Sequence, residues 1–235
     1  YYVPNNAILV VGGNVTLDQI KLLTQKWFGP IPAGRPYHRN LPLEPKQKGY
    51  KKLEVTANVP LNALFMVYHM PAKMHQDTTA CDLMSDILGR GKSSRLYNKL
   101  VKEQQLFSSL QSHLSGSNDP GLIVIEGKLN KGISLEKAEE AVWKVIDSFI
   151  EIGVTEEELT KVKNQAESTH LFGEMELLER CMAIAFAANL GDVDRINTEA
   201  ERIQAITIKD ISKTAGNYLT KENCSVLYYK ASGNG

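Results

Sequence analysis

Leu106-Phe107-Ser108-Ser109-Leu110-Gln111-Ser112-His113-Leu114 and Leu122-Ile123-Val124-Ile125-Glu126-Gly127-Lys128-Leu129 are two strand-length stretches on either side of Ser115-Gly116-Ser117-Asn118-Asp119-Pro120-Gly121. Gly, Pro, Asn and Asp let a chain reverse at little steric cost, so the three pieces read as a β-hairpin. Ser134 then caps an amphipathic helix that carries Leu135, Ala138, Val142, Val145 and Phe149 at core spacing and stops near Gly153. An antiparallel pair that runs into a helix with one apolar face places helices on one side of a sheet.

Working outward, strands are predicted over Lys52–Ala57 and Ala63–His69, then a helix over Thr78–Leu88 with Asp77 as N-cap. Gly89 and Gly91 end that helix, and Ser93 opens another through Arg95, Leu96, Leu100 and Val101 to about Gln104. Beyond the hairpin the chain turns mostly helical. Helix starts are read at Thr155 with Glu158 and at Thr207 with Asp210, an apolar helix over Leu177–Leu190, and a short one around 195–205. A last strand covers Cys224–Tyr229. Four mostly hairpin-linked strands, a helical block and a returning strand predict an α+β fold: a mostly antiparallel sheet with helices packed on one face, a two-layer sandwich.

The N-terminal end differs. Ala7–Gly12 is an apolar run of strand length, and Thr16 with Gln19 forms a capping box opening a helix with Leu17, Ile20, Leu23 and Trp27 on one face. Between Phe28 and Tyr50 the pattern collapses, and five of the nine prolines fall there. About 20 residues without an element is long for a loop inside a domain, so a boundary is expected. The strand-helix order at 7–27 is echoed at 122–150, as in a repeated unit. The expected organisation is a terminal strand-helix of a preceding domain at 1–29, a Pro/Gly-rich linker at 30–49 and a complete domain at 50–235.

Composition excludes several classes. With 43% hydrophobic and 23% charged residues, and 27 basic against 27 acidic side chains, the chain is an ordinary globular one with no field of one sign to attract nucleic acid. Its longest strongly apolar stretch, Cys181–Ala188, falls well short of the roughly 20 residues of a membrane-spanning helix. Neither nucleic acid nor a membrane span is therefore expected. Cys81, Cys181 and Cys224 are too few and scattered for a disulfide framework and read as small apolar residues. The chain opens on Tyr1 without a basic, apolar leader, so it reads as a piece of something longer whose compartment is not legible.

For chemistry, His38, His69, His75, His113 and His170 include no pair one helical turn apart, so no metal or other cofactor is expected in this chain. Gly89-Arg90-Gly91-Lys92-Ser93 superficially suggests a phosphate loop, but Asp86 stands where that loop needs its first glycine, and the segment follows a helix. A two-glycine turn is the better reading. Gly-x-Ser-x-Gly is absent. Glu156-Glu157-Glu158 in a first helical turn and Lys137-Ala138-Glu139-Glu140 on a helix read as solvated charge.

Two segments carry a family resemblance. Tyr1-Tyr2-Val3-Pro4-Asn5-Asn6-Ala7-Ile8-Leu9-Val10-Val11-Gly12-Gly13-Asn14-Val15 resembles the stretch that follows the zinc-binding region in pitrilysin/insulinase-type and mitochondrial-processing-peptidase-like subunits. Leu88-Gly89-Arg90-Gly91-Lys92-Ser93-Ser94-Arg95-Leu96-Tyr97 resembles the segment opening the key helix of their second domain, in matching order and separation. The resemblance spans essentially the whole chain and implies the LuxS/processing-peptidase-like metallopeptidase fold.

It further implies a parent of two similar domains, with the zinc ligands His-x-x-Glu-His and a downstream Glu in the upstream domain. The parent is then a zinc metalloendopeptidase in which metal-activated water attacks short or unfolded peptides, and this chain alone, the non-catalytic half, is inactive. Many relatives place an Arg and, seven residues later, a Tyr in the second domain, reaching toward the substrate backbone. The matching positions here are Val101 and Ser108, which offer neither a guanidinium nor a phenol. The resemblance thus implies a homologous partner subunit supplying the pair, in a heterodimer. The alternative is a catalytically inactive homologue serving as scaffold or binding partner.

Overall fold

A computed structural model describes residues 2–35, 40–116 and 118–232, so Tyr1, Pro36, His38 and Ser117 of the sequence reading lie outside the described residues. The chain divides into two compact units: residues 46–166 with 202–235, and residues 1–45 with 167–201.

The larger unit is built on five strands, β1 (Lys51–Ala57), β2 (Ala63–Met70), β3 (Phe107–Ser115), β4 (Gly121–Leu129) and β5 (Cys224–Ala231), in the spatial order β1-β5-β2-β4-β3. β2 pairs antiparallel with β4 and with β5, and β3 antiparallel with β4. Among the described residues β1 pairs only with β5, and in parallel, Lys51 opposite Ser225 through Ala57 opposite Ala231. The two strands before the first long helix are therefore not a hairpin, because the chain's last strand lies between them. A parallel pair needs a long crossover, and here almost the whole unit is that crossover.

Alternation along the strands sorts the two faces. Leu64, Met66 and Tyr68 of β2, Ile123 and Ile125 of β4, and Val226 and Tyr228 of β5 are buried. They form one core with Leu83, Met84 and Ile87 of α2 (Thr78–Gly89), Val142, Ile146 and Phe149 of α3 (Leu135–Ile152), and Ile211 and Ala215 of α7 (Ile208–Tyr218). The intervening residues Phe65, Val67, Val124, Leu227 and Tyr229 point to the other face and are only half-buried. This is the α+β two-layer arrangement expected from the sequence. α4 (Glu156–Met175) follows α3, and only its residues through Ala166 belong to this unit, as does most of the short α6 (Glu199–Ala205).

The smaller unit contains α1 (Leu17–Trp27) and α5 (Leu177–Asn189). The Thr16–Gln19 capping box forms as expected. The strand expected over 7–12 does not, because a strand exists only by pairing and no ladder partner is present for it among the described residues. Its Gly12 lies close on α5, where an added Cβ would meet Cys181 Sγ at 2.6 Å. Ile8, Leu9, Leu22, Trp27, Phe172, Leu178 and Phe186 are all exposed, and Ala187 is the only buried hydrophobic of this unit among the described residues.

Two expectations about local chemistry are corrected. Asp77 does not cap α2: its backbone is helical, and its Oδ2 instead accepts from the Tyr218 hydroxyl at 3.0 Å, tying the start of α2 to the end of α7. Between α2 and β3 the expected helix forms, but after an α-helical start at Arg95 and Leu96 it is π-helical over Tyr97–Glu103, with Gln104 N donating to Lys99 O at 3.0 Å.

Candidate functional site

The sheet's open face and its β3 border carry two depressions, and their shape begins at the π-helical segment. Its i→i+5 hydrogen bonds each enclose one residue more than those of an α-helix, and the segment is followed by Gln105, the only non-glycine residue with positive φ (51°) among the described residues. Left-handed backbone at a residue with a Cβ is strained and persists only where neighbours hold it. Here Asn130 Nδ2 donates to Gln105 O at 2.6 Å, and Leu106 N to Leu100 O at 2.9 Å.

Immediately after this joint, β3 carries a bulge. Phe107 faces Leu129 and Ser109 faces Lys128, leaving Ser108 as the extra residue. A bulge re-aims a side chain. Ser108 is exposed and donates weakly through Oγ to Lys128 O at 3.2 Å. It borders a depression of about 400 Å³ on the open face, together with Phe65, Ser109, Glu126, Lys128 and Tyr97. Glu126 accepts from Gln111 Nε2 at 2.7 Å there. Val101 lies elsewhere: it is half-buried on the π-helical segment and packs against the core. Val101 is thus not among the residues that line the Ser108 depression.

Arg95 has a different task. Its Nε and Nη2 each reach a carboxylate oxygen of Glu158 at 2.7 Å, Nη2 also donates to Gly153 O at 2.7 Å, and the guanidinium lies 4.8 Å from the Phe149 ring centre. Glu158 simultaneously closes the cap at Thr155, accepting from Thr155 N at 2.9 Å. Hydrogen bonding from Arg95 holds the Glu158 carboxyl below its ordinary range against the opposing pull of burial, and the Thr155 backbone adds to it. The carboxylate read as solvated is a structural anchor.

Glu139 is the second such correction. It accepts from the hydroxyls of Tyr50 at 2.6 Å and Tyr228 at 2.7 Å and from Trp143 Nε1 at 3.2 Å, with Lys52 Nζ at 3.7 Å. Burial pushes its pKa up, but the three donors and Lys52 outweigh it and hold the carboxyl below normal. Burial, then the Glu139 contact, raises both phenols. Its helical neighbour Glu140 is exposed and pairs with Lys144 at 2.7 Å, so the charged face was legible and its one inward member was not.

For metals, no three His, Cys, Asp or Glu side chains come together to hold an ion among the described residues. His75 Nδ1 accepts from Asp77 N at 3.1 Å, His170 lies 3.6 Å from Glu174, and His113 is exposed on β3. These residues do not fit a zinc site. Cys81 and Cys224 are buried, with thiols pushed up to about 12 by burial, which makes them inert packing. No helix among the described residues is long and apolar enough to cross a membrane.

Residues 1–166 match the family described as the peptidase M16 inactive domain. The zinc protease PqqE of Helicobacter pylori is 26% identical over 241 residues, covering 98% of this chain and 52% of that protein. A protein of the same organism named non-peptidase homolog YmxG is 26% identical over 164 residues, covering 68% of this chain and 36% of that one. The chain thus spans about half, or less, of these curated relatives. The crystal structure of a protease from Helicobacter pylori superposes with a TM-score of 0.86 at 23% identity, covering 93% of this chain and 54% of that one, which supports the α+β fold.

Proposed function

This chain belongs to the peptidase M16 inactive-domain family, and from that premise we propose that it is the chamber-forming, non-catalytic half of a zinc metallopeptidase acting on short or unfolded peptides. The observation that carries the reading is the sheet's open face. Helices cover one side, while the other presents half-buried Phe65, Val67, Val124, Leu227 and Tyr229 beside the Ser108 depression. A sheet face of this composition suits contact with extended, partly apolar chain. In this proposal residues 1–29 complete a preceding zinc-bearing domain, 30–49 link it to the domain at 50–235, and a homologous partner subunit supplies the Arg and Tyr functions missing at Val101 and Ser108. The name of the 26%-identical zinc protease supports a zinc-bearing parent.

The test is cleavage of a quenched fluorescent unfolded peptide by the full-length parent, alone and mixed with a homologous subunit, with and without a zinc chelator. Chelator-sensitive cleavage that needs the mixture is the expected result. Full activity of the parent alone would remove the heterodimer. The relative named a non-peptidase homolog favours a second reading, an inactive scaffold. No cleavage in any mixture would establish that reading instead.

A further inference from the structure

β1 is the least embedded strand of the sheet. Six of its seven residues are exposed, and among the described residues its backbone pairs with β5 alone. β5, by contrast, is paired on its other side with β2 and buries Val226 and Tyr228. A border strand that buries almost no apolar side chain gains little from the hydrophobic effect, so its ladder and its polar ties must hold it in place.

Those ties are few, and they converge. Gln47, ahead of the strand, is buried. Its Nε2 donates to Gly49 O and to Cys224 O at 2.8 Å each, and its Oε1 accepts from Ser225 Oγ at 3.0 Å. Tyr50 donates to Glu139 at 2.6 Å, and Lys52 sets its Nζ 3.7 Å from the same carboxylate and 3.6 Å from the centre of the Tyr228 ring. Further along, Glu54 pairs with Lys230. A space of about 630 Å³ is lined by Tyr50 and Lys52 on the strand side and by Glu136, Glu139 and Trp143 of α3 on the other. The strand is thus joined to the helix across a gap, through Glu139, rather than by packing.

The far end is sharply bounded. Asn62 O accepts from Leu129 N at 2.9 Å and Asn62 Oδ1 from Ala231 N at 2.8 Å, which pins the entry of β2 to both β4 and β5. Only Asn58-Val59-Pro60-Leu61 stands between that pin and the end of β1.

We propose that residues 47–57 are a strap that opens as one unit, hinged at 58–61 and locked by Glu139, while the other four strands stay paired. The strap buries little, so its opening costs less than unfolding the core, and the polar ties at its two ends make it leave together rather than fray. Once released it joins the proline-rich segment before it and lengthens that tether by about 11 residues, up to about 36 Å of extended chain.

The test is native-state hydrogen exchange on the 235-residue chain, read amide by amide in rising, sub-denaturing urea. The amides of Lys51–Ala57 that face β5, and those of β5 that face β1, should share one small urea dependence. Amides between β2 and β4 should show the larger dependence of global unfolding. Glu139→Gln should speed the strap amides at least about 10-fold more than the β2–β4 amides, because Tyr50 and Lys52 lose a charged partner. Gln47→Ala, which leaves α3 untouched, should act in the same direction and decides the matter if Glu139→Gln does not fold. A strap that exchanges with the urea dependence of β2–β4 would overturn the proposal. So would amides that fray one by one from Lys51 with no shared dependence, or variants that speed both sets equally.

Discussion

Arg95 grips Glu158 through two parallel hydrogen bonds of 2.7 Å across 63 residues of sequence. Both side chains are about three-quarters withdrawn from solvent, so the pair is neither screened like a surface bridge nor fully desolvated. Replacing Arg95 with Met should cost about 2 kcal/mol in urea denaturation at pH 7, since Glu158 then loses a charged donor while staying half-buried. The pH dependence follows from the lowered Glu158 pKa. The unfolded chain takes up a proton first, so the contribution is full above the ordinary Glu value of roughly 4.3 and fades as pH falls through the lower folded value. Glu158→Gln should flatten that part of the acid limb; an unchanged limb would show the pair to be energetically silent.

The Glu139 cluster should act at the other end of the pH scale. Tyr228 is fully buried and its hydroxyl ends on Glu139, so Tyr228→Phe should cost about 2 kcal/mol at neutral pH, measured by urea denaturation. Burial and the neighbouring carboxylate raise the pKa of Tyr228 and Tyr50 above the ordinary value. Stability from them is full below roughly pH 10 and is lost as pH rises past it, because the unfolded chain ionises first. Tyr228→Phe should lessen that alkaline loss.

The two glycines of the turn after α2 should separate crowding from backbone strain. Gly89→Ala drives a Cβ onto the Ser112 backbone, which cannot swing aside like a side chain, and should cost about 3 kcal/mol. Gly91 has φ +74° in open space, so Gly91→Ala should cost only about 1 kcal/mol. Thermal unfolding of both variants decides it, and comparable losses would mean that α2 can shift away from β3.

Much of this fold is legible in the sequence. The hairpin at 106–129, the capped helices and the single apolar face of α3 follow from period and turn chemistry, because those are local properties. The place of β5 was not, since nothing in Cys224–Ala231 says that it will pair in parallel with a strand more than 170 residues earlier. Inward-turning charges escaped for the same reason. Glu139 differs from Glu140 only in meeting Tyr50 and Tyr228 from distant parts of the chain, and Glu158 differs from Glu157 only in meeting Arg95. At the site, Ser108 is reached only through the register that the family resemblance implies, whereas the bulge that exposes it and the strained joint at Gln105 have no local signature.

Ser108 and Val101 should respond oppositely when the absent groups are restored. Ser108 is exposed at a bulge beside a depression of about 400 Å³, so Ser108→Tyr has room and should change stability by less than about 0.5 kcal/mol. Val101 packs on the core, so Val101→Arg must withdraw apolar contacts or strand a charge, and should cost about 1–2 kcal/mol. The functional arm uses the full-length parent. If a partner subunit normally supplies both groups, Ser108→Tyr alone should leave cleavage by the unmixed parent at background, because an Arg is still lacking. The double variant should then raise it by about 10-fold or more, the scale of one or two added transition-state hydrogen bonds. A double variant that folds, as judged by its urea midpoint, and still needs the partner would place the missing groups at other positions of this wall.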